Sequence, residues 1–141
     1  MENFAQLKST RVIVIDDGDF DRLLPGLILR PFGFMVHETQ DIKEALEVLN
    51  RTSVSILIFG INAQGFEEAE ILRRIRQHPD PTDKKVLAYT ENTSQQVEQE
   101  LLKMGFDAVL FKPLSSQSLM ESLREFFPAK SLLRSKNETF K

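Results

Sequence analysis

Three apolar runs end in residues able to do chemistry. Asp16 and Asp17 follow Arg11-Val12-Ile13-Val14-Ile15, Thr90 follows Val86-Leu87-Ala88-Tyr89, and Lys112 follows Ala108-Val109-Leu110-Phe111. A fourth run, Val54 to Ile61, places Gly60, which has no side chain, at the equivalent point. Such runs read as strands buried on both faces of a parallel sheet. Ligands of open α/β sheets collect at the carboxyl ends of the strands. If these four strands are neighbours, two carboxylates, a hydroxyl and an ammonium converge there. That set suits a hydrated cation and a phosphoryl group, because Mg²⁺ takes one or two carboxylates plus waters. A lysine and a hydroxyl suit phosphate oxygens.

The elements that must position these residues alternate. After the first run, Phe20, Leu23, Leu24, Leu27 and Ile28 recur at helical spacing, with Pro25 and Pro31 expected to kink or shorten the helix. A short strand, Phe34 to Glu38, follows Gly33. Asp41 with Glu44 reads as a capping box ahead of Ile42, Ala45, Leu46 and Leu49. Beyond the Val54 strand, Ala69, Ile71, Leu72 and Ile75 define a third helix, with Arg73, Arg74 and Arg76 on its other side and His78-Pro79-Asp80-Pro81 ending it. Thr93 with Gln96 is expected to cap a fourth helix that stops at Gly105. A fifth, from about Ser116, buries Leu119, Leu123 and Phe126. Five strands alternating with helices imply βαβ units with right-handed crossovers, hence a doubly wound parallel sheet. The pattern divides the chain into a lead (1–10), one α/β domain (11–127) and a basic tail or linker with little to bury (128–141).

Composition narrows the classes of function. With 141 residues the chain is long enough for one real core. It has no cysteine, which excludes disulfides, thiolate metal sites and cysteine nucleophiles. A net charge of −3 offers no general attraction to nucleic acid or anionic membrane. No apolar run approaches a membrane span of roughly 20 residues, and the N-terminus lacks a signal peptide's apolar core. A cytoplasmic protein is the expectation.

The residues at the strand ends, in this order and spacing, resemble the receiver domains of two-component response regulators, the CheY-like fold. The marks are Asp16-Asp17, Thr90 and Lys112-Pro113, with Arg22, Gly33, Glu44-Ala45-Leu46 and Gly105 in support. The resemblance implies a five-stranded sheet in the order 2-1-3-4-5 with five helices. It also implies a weak or vestigial Mg²⁺ site at Asp16 and Asp17, Thr90 and Lys112 as phosphoryl contacts, and a cis Lys112-Pro113 bond. In the family the third strand ends in the aspartate that accepts a phosphoryl group from a histidine kinase. Here that position is Gly60, which carries no nucleophile. The family's switch aromatic is Val109 and the small residue after the threonine is Glu91. Three departures at one machinery imply a pseudo-receiver, a member of the fold without its phosphoryl-transfer chemistry.

The expectation is therefore a non-enzymatic signalling module that needs no cofactor. It would act through the face of the fourth helix, fifth strand and fifth helix, where Gln95, Gln99, Lys103, Val109, Gln117, Glu121 and Arg124 stand. Its partner is another signalling protein or a second copy. A start at Met ten residues before the first strand implies an N-terminal domain, and the sequence does not choose an output domain. Two alternatives stay open: a receiver phosphorylated on a displaced carboxylate, and a module sensing a small ligand or anion at the strand ends. Plainer roles compete residue by residue. Asp16-Asp17 could cap a helix, Lys112 could pair with Asp16 or Asp17 while Glu91 approaches, and Thr90 could be a turn hydroxyl. Glu67 and Glu68 read as acidic residues at a helix N-terminus. His37 and His78 read as surface residues, Arg73-Arg74-Arg76 as a solvated face, and Phe126-Phe127 as packing.

Overall fold

The computed structural model describes residues 10–61, 66–77 and 84–126, with the side chains of Phe66 and Glu67 excepted. His78, Phe127, the lead up to residue 9 and the tail lie outside the described residues. Five strands, β1 (Arg11–Ile15), β2 (Met35–Thr39), β3 (Ile56–Gly60), β4 (Lys85–Thr90) and β5 (Ala108–Phe111), alternate with five helices. These are α1 (Asp19–Leu29), α2 (Ile42–Arg51), α3 (Phe66–Gln77), α4 (Gln95–Met104) and α5 (Ser116–Phe126). All strand pairs are parallel, as the sequence pattern implies, and the order is β2-β1-β3-β4-β5, as the resemblance to receiver domains implies.

Alternation along the strands feeds two apolar layers. Val12, Val14, Ile56, Ile58, Leu87 and Tyr89 face Leu29 of α1 and Leu119, Met120 and Leu123 of α5. Ile13, Ile15, Leu57, Phe59, Val86 and Ala88 face α2, α3 and α4, through Leu49, Leu72, Ile75 and Leu101 among others. With both faces covered, each central strand reads as an unbroken apolar run, which is why the sheet is easy to see in the sequence.

Local details differ from expectation where side chains choose between backbone partners. Pro25 sits inside α1, which stays helical through Leu29; Pro31 then lies within a 3₁₀ turn, Arg30–Phe32, that Gly33 closes at φ 95°. Asp41 does cap α2, accepting from the Lys43 amide, but Glu44 does not reach back to it. Glu44 instead accepts from the Thr39 hydroxyl at 2.8 Å and meets His37 Nε2 at 2.9 Å, while Thr39 Oγ1 takes the Asp41 amide. The cap of α4 is Ser94, accepting from Val97 N at 3.0 Å, one residue after the expected Thr93. Gly105, at φ 121°, terminates that helix as expected. On α3 the acidic and apolar roles are exchanged: Ala69 is exposed and Glu68 is buried. No helix among the described residues is long and apolar enough to cross a membrane.

Candidate functional site

Register fixes which residues meet. Ile15 pairs with Phe59, Gly60 with Tyr89, and Thr90 with Phe111, so Asp16, Gly60, Thr90 and Lys112 all arrive at the carboxyl ends of four adjacent strands. Backbone bonds tie the loops to those ends: Ile61 N donates to Tyr89 O at 2.8 Å, and Lys112 N to Thr90 O at 2.8 Å. The Lys112-Pro113 bond is cis.

The centre of the site is a buried ion pair. Lys112 Nζ stands 2.8 Å from Asp16 Oδ2 and 3.3 Å from Asp21 Oδ2, and the side chains of Asp16 and Lys112 are only 1% and 12% exposed. The other Asp16 oxygen, Oδ1, accepts from the Gly18 amide at 2.8 Å. Arg22 braces the same turn, donating to the Asp16 carbonyl at 3.2 Å and pairing with Asp19. Desolvation opposes the charge on Lys112, but Asp16 and then Asp21 outweigh it and hold the ammonium above its ordinary lysine value. Nζ also lies 4.9 Å from the centroid of the Tyr89 ring. Tyr89 is fully buried, and its hydroxyl has no hydrogen-bond partner among the described residues. Burial first, then the charges of Asp21 and Asp16, raise its pKa far above the ordinary phenol value.

Gly60 is what makes room for this arrangement. A Cβ built on it would run into the Asp16 carboxylate, 2.7 Å from Cγ and 3.1 Å from the Ile15 carbonyl oxygen. Real Cβ atoms do not approach so closely, so Asp16 can hold this position only beside a residue without a side chain. The space next to the last residue of β3 is filled by the carboxylate of the residue that follows β1.

The remaining site residues divide. Asp17 is exposed and forms no ion pair with Lys112; it borders two clefts, one of about 290 Å³ with Gly60, Asp41 and Glu68, the other of about 540 Å³ with Thr90 and Glu91. Thr90 is buried, and its hydroxyl accepts from the Asn92 amide at 3.1 Å, which makes it a turn hydroxyl in this conformation. Glu91 is exposed and does not join the Lys112 cluster. The second acidic partner is instead Asp21, which sequence reasoning missed. Its signal is its place in the first turn of α1, the helix that starts directly after the acidic pair. Glu68 reads in the sequence as one of two acids at a helix N-terminus, and the structure buries it where the apolar pattern places Ala69.

Two further expectations resolve at the surface. The arginines of α3 are paired: Arg73 and Arg74 with Glu70, and Arg76 with Asp107 at 2.7 Å. They form no free basic patch. His37 meets Glu44, whose pKa is lowered by the Thr39 hydroxyl first and by His37 next. On the α4–β5–α5 side, Gln95, Gln99, Lys103, Gln117 and Glu121 are exposed, and Val109 and Arg124 are half-buried. Leu102, 44% exposed, adds an apolar point on that side that the polar pattern did not suggest.

Residues 12–124 match the response regulator receiver domain family, and the chain belongs to it. A sensor histidine kinase, RcsC of Salmonella typhi, is 27% identical over 112 residues, covering 79% of this chain but 12% of that protein. An uncharacterized 14.6 kDa protein of Leptolyngbya boryana is 25% identical over 126 residues, 89% of this chain and 94% of that one. Among solved structures, a response regulator from Thermotoga maritima superposes with TM-score 0.73 at 24% identity, over 83% of this chain and 96% of that chain. The chain is thus a receiver domain of two-component signalling.

Proposed function

We propose that this chain is a pseudo-receiver: a non-catalytic signalling domain that works by phosphorylation-independent contact with a partner protein. The observation that carries this reading is the Asp16 carboxylate seated beside Gly60 and ion-paired to Lys112. In the family, the end of the third strand supplies an aspartate, and a lysine at this position contacts the phosphoryl group. Here the strand supplies no nucleophile, and the lysine already has two carboxylate partners. The donor set also fits a divalent cation poorly. Asp16 spends one oxygen on Gly18 N and the other on Lys112, Gly60 supplies none, and Asp17 alone remains open to solvent. Mg²⁺ seeks more than one carboxylate oxygen in near-octahedral order. Any Mg²⁺ bound by Asp17 is accordingly weak and not needed for function.

With phosphoryl chemistry absent, the ion pair holds one conformational state, and output depends on who binds. The partner face is that of α4, β5 and α5, with Gln95, Gln99, Lys103, Gln117 and Glu121 around the apolar Leu102. A displaced carboxylate is a weaker reading, because Asp16 is buried with both oxygens engaged. Incubation of the full chain with acetyl phosphate and Mg²⁺, followed by intact mass, tests the proposal. The mass is expected to stay unchanged. A gain of one phosphate, mapped to Asp16, Asp17 or Asp21, would overturn it.

A further inference from the structure

Among the described residues, three of the five large apolar side chains left exposed lie on one helix. Phe20, Leu23 and Leu27 of α1 are 65%, 47% and 67% exposed. Spacings of three and four place them on one stripe of the helix. The opposite side of α1, through Pro25 and Leu29, is buried against the sheet, so the stripe faces straight outward. Scattered exposed apolar residues need no explanation, but a contiguous stripe marks an interaction surface.

The charges flanking the stripe say what covers it. The first turn of α1 carries Asp19 and Asp21, and Arg30, still with helical backbone angles, caps its C-terminal end. Asp19 and Arg30 are 11 positions apart in sequence, three turns to within about 20° at 3.6 residues per turn, so they stand on the same flank of the stripe. The Asp19 side chain is 85% exposed and that of Arg30 48% exposed. Now consider a second copy of α1 laid antiparallel across the first, related by a two-fold axis in the contact plane. Phe20 then meets Leu27 of the other copy, Leu23 lies beside the axis against its own counterpart, and Asp19 approaches Arg30 of the other copy on the shared flank. Both Phe20–Leu27 contacts and both Asp19–Arg30 contacts arise from one operation, as an isologous interface requires. A parallel arrangement would set acid against acid at one end and base against base at the other. Asp19 and Arg30 are already paired within the chain, with Arg22 and Glu38, whose own side chains are only 15% and 17% exposed, so it is the open flank that each keeps toward solvent that faces the other copy.

We infer that this chain pairs with a second copy of itself through antiparallel α1 helices centred on Leu23. This leaves the α4–β5–α5 face free for a different partner, and it does not depend on whether the chain accepts a phosphoryl group.

The absence of cysteine makes the test clean. Leu23→Cys introduces a single thiol beside the proposed axis, and Leu102→Cys places an exposed control thiol on α4. Under mild oxidation at micromolar protein, the full chain carrying Leu23→Cys is expected to form a disulfide-linked dimer about tenfold faster than the control. Adding Leu27→Glu to it should remove that advantage, with circular dichroism confirming the fold. Light scattering should show a concentration-dependent dimer that Leu27→Glu and high salt both shift to monomer. A monomer at all concentrations, equal crosslinking at the two sites, or faster crosslinking at Leu102→Cys would overturn the inference. The last result would move any self-association to the α4–β5–α5 face, and stripe-dependent capture of a foreign helix by a monomeric chain would assign α1 to another partner.

Discussion

Asp16 and Gly60 are separated by 44 positions in sequence, yet the Asp16 carboxylate fills the space that a side chain at Gly60 would need. Their dependence on each other gives the first prediction. Gly60→Ala pushes a methyl group into the Asp16 carboxylate and should cost about 1–3 kcal/mol by overpacking. Asp16→Ala removes a buried partner of Lys112 and should cost about 3 kcal/mol, the lower end for breaking a buried pair because Asp21 remains. In the double variant the methyl group meets no carboxylate, so the two costs should fall well short of adding. Urea denaturation of the four proteins measures this, and simple additivity would show that the two residues do not share the space. A second prediction concerns alkali. Lys112 and Tyr89 both hold their protons more tightly in the folded state than in an unfolded chain. A raised folded pKa gives stability that is complete below the unfolded value and is lost as pH rises through the folded one. Stability should therefore fall above pH ~10, where free lysine and tyrosine titrate. Tyr89→Phe should flatten that fall without altering stability at neutral pH by the same amount. Denaturation midpoints from pH 8 to 11.5 report it; an unchanged slope in the variant would remove Tyr89 from the account.

At the scale of the element, what was legible follows from how many alternatives each residue had. The sheet was legible because burial on both faces forces unbroken apolar runs, and the β5 run matches its strand end for end. Helix starts were less legible, because polar side chains near a terminus have several backbone and side-chain partners within reach. Thr93 and Ser94 both precede α4, and only geometry decides that Ser94 takes the Val97 amide. Glu44 sits where a capping box would use it, yet Thr39 and His37 hold it from the neighbouring strand. Partners only five and seven residues away, across the turn from β2 to α2, compete with the cap without leaving a periodicity that the sequence shows. The same limit explains the site, where Asp16 and Lys112 were each visible but Asp21 as their third member was not. The cap assignment is testable: Ser94→Ala should destabilise the protein by about 1 kcal/mol, and Thr93→Ala should have little effect. Thermal or urea unfolding of the two variants separates them, and a reversed order would put the cap back at Thr93.

At the scale of the whole molecule, the parallel sheet brings its chemistry to one edge and leaves its helices to meet other molecules. In this chain the edge is closed upon itself by Asp16, Lys112 and Asp21, and two separate helical surfaces stay open. One is the polar α4–β5–α5 face around Leu102, the other the apolar α1 stripe. The central claim is that the carboxyl edge of the sheet no longer responds to a phosphoryl group. The most direct measurement is a ¹H–¹⁵N correlation spectrum of the full chain, titrated with Mg²⁺ and beryllofluoride as a phosphoryl mimic. The account predicts shifts confined to the surroundings of Asp17 with Mg²⁺ alone, and no further change when beryllofluoride is added. A large response to the combination, centred on residues 16–17 and 90–112, would contradict it.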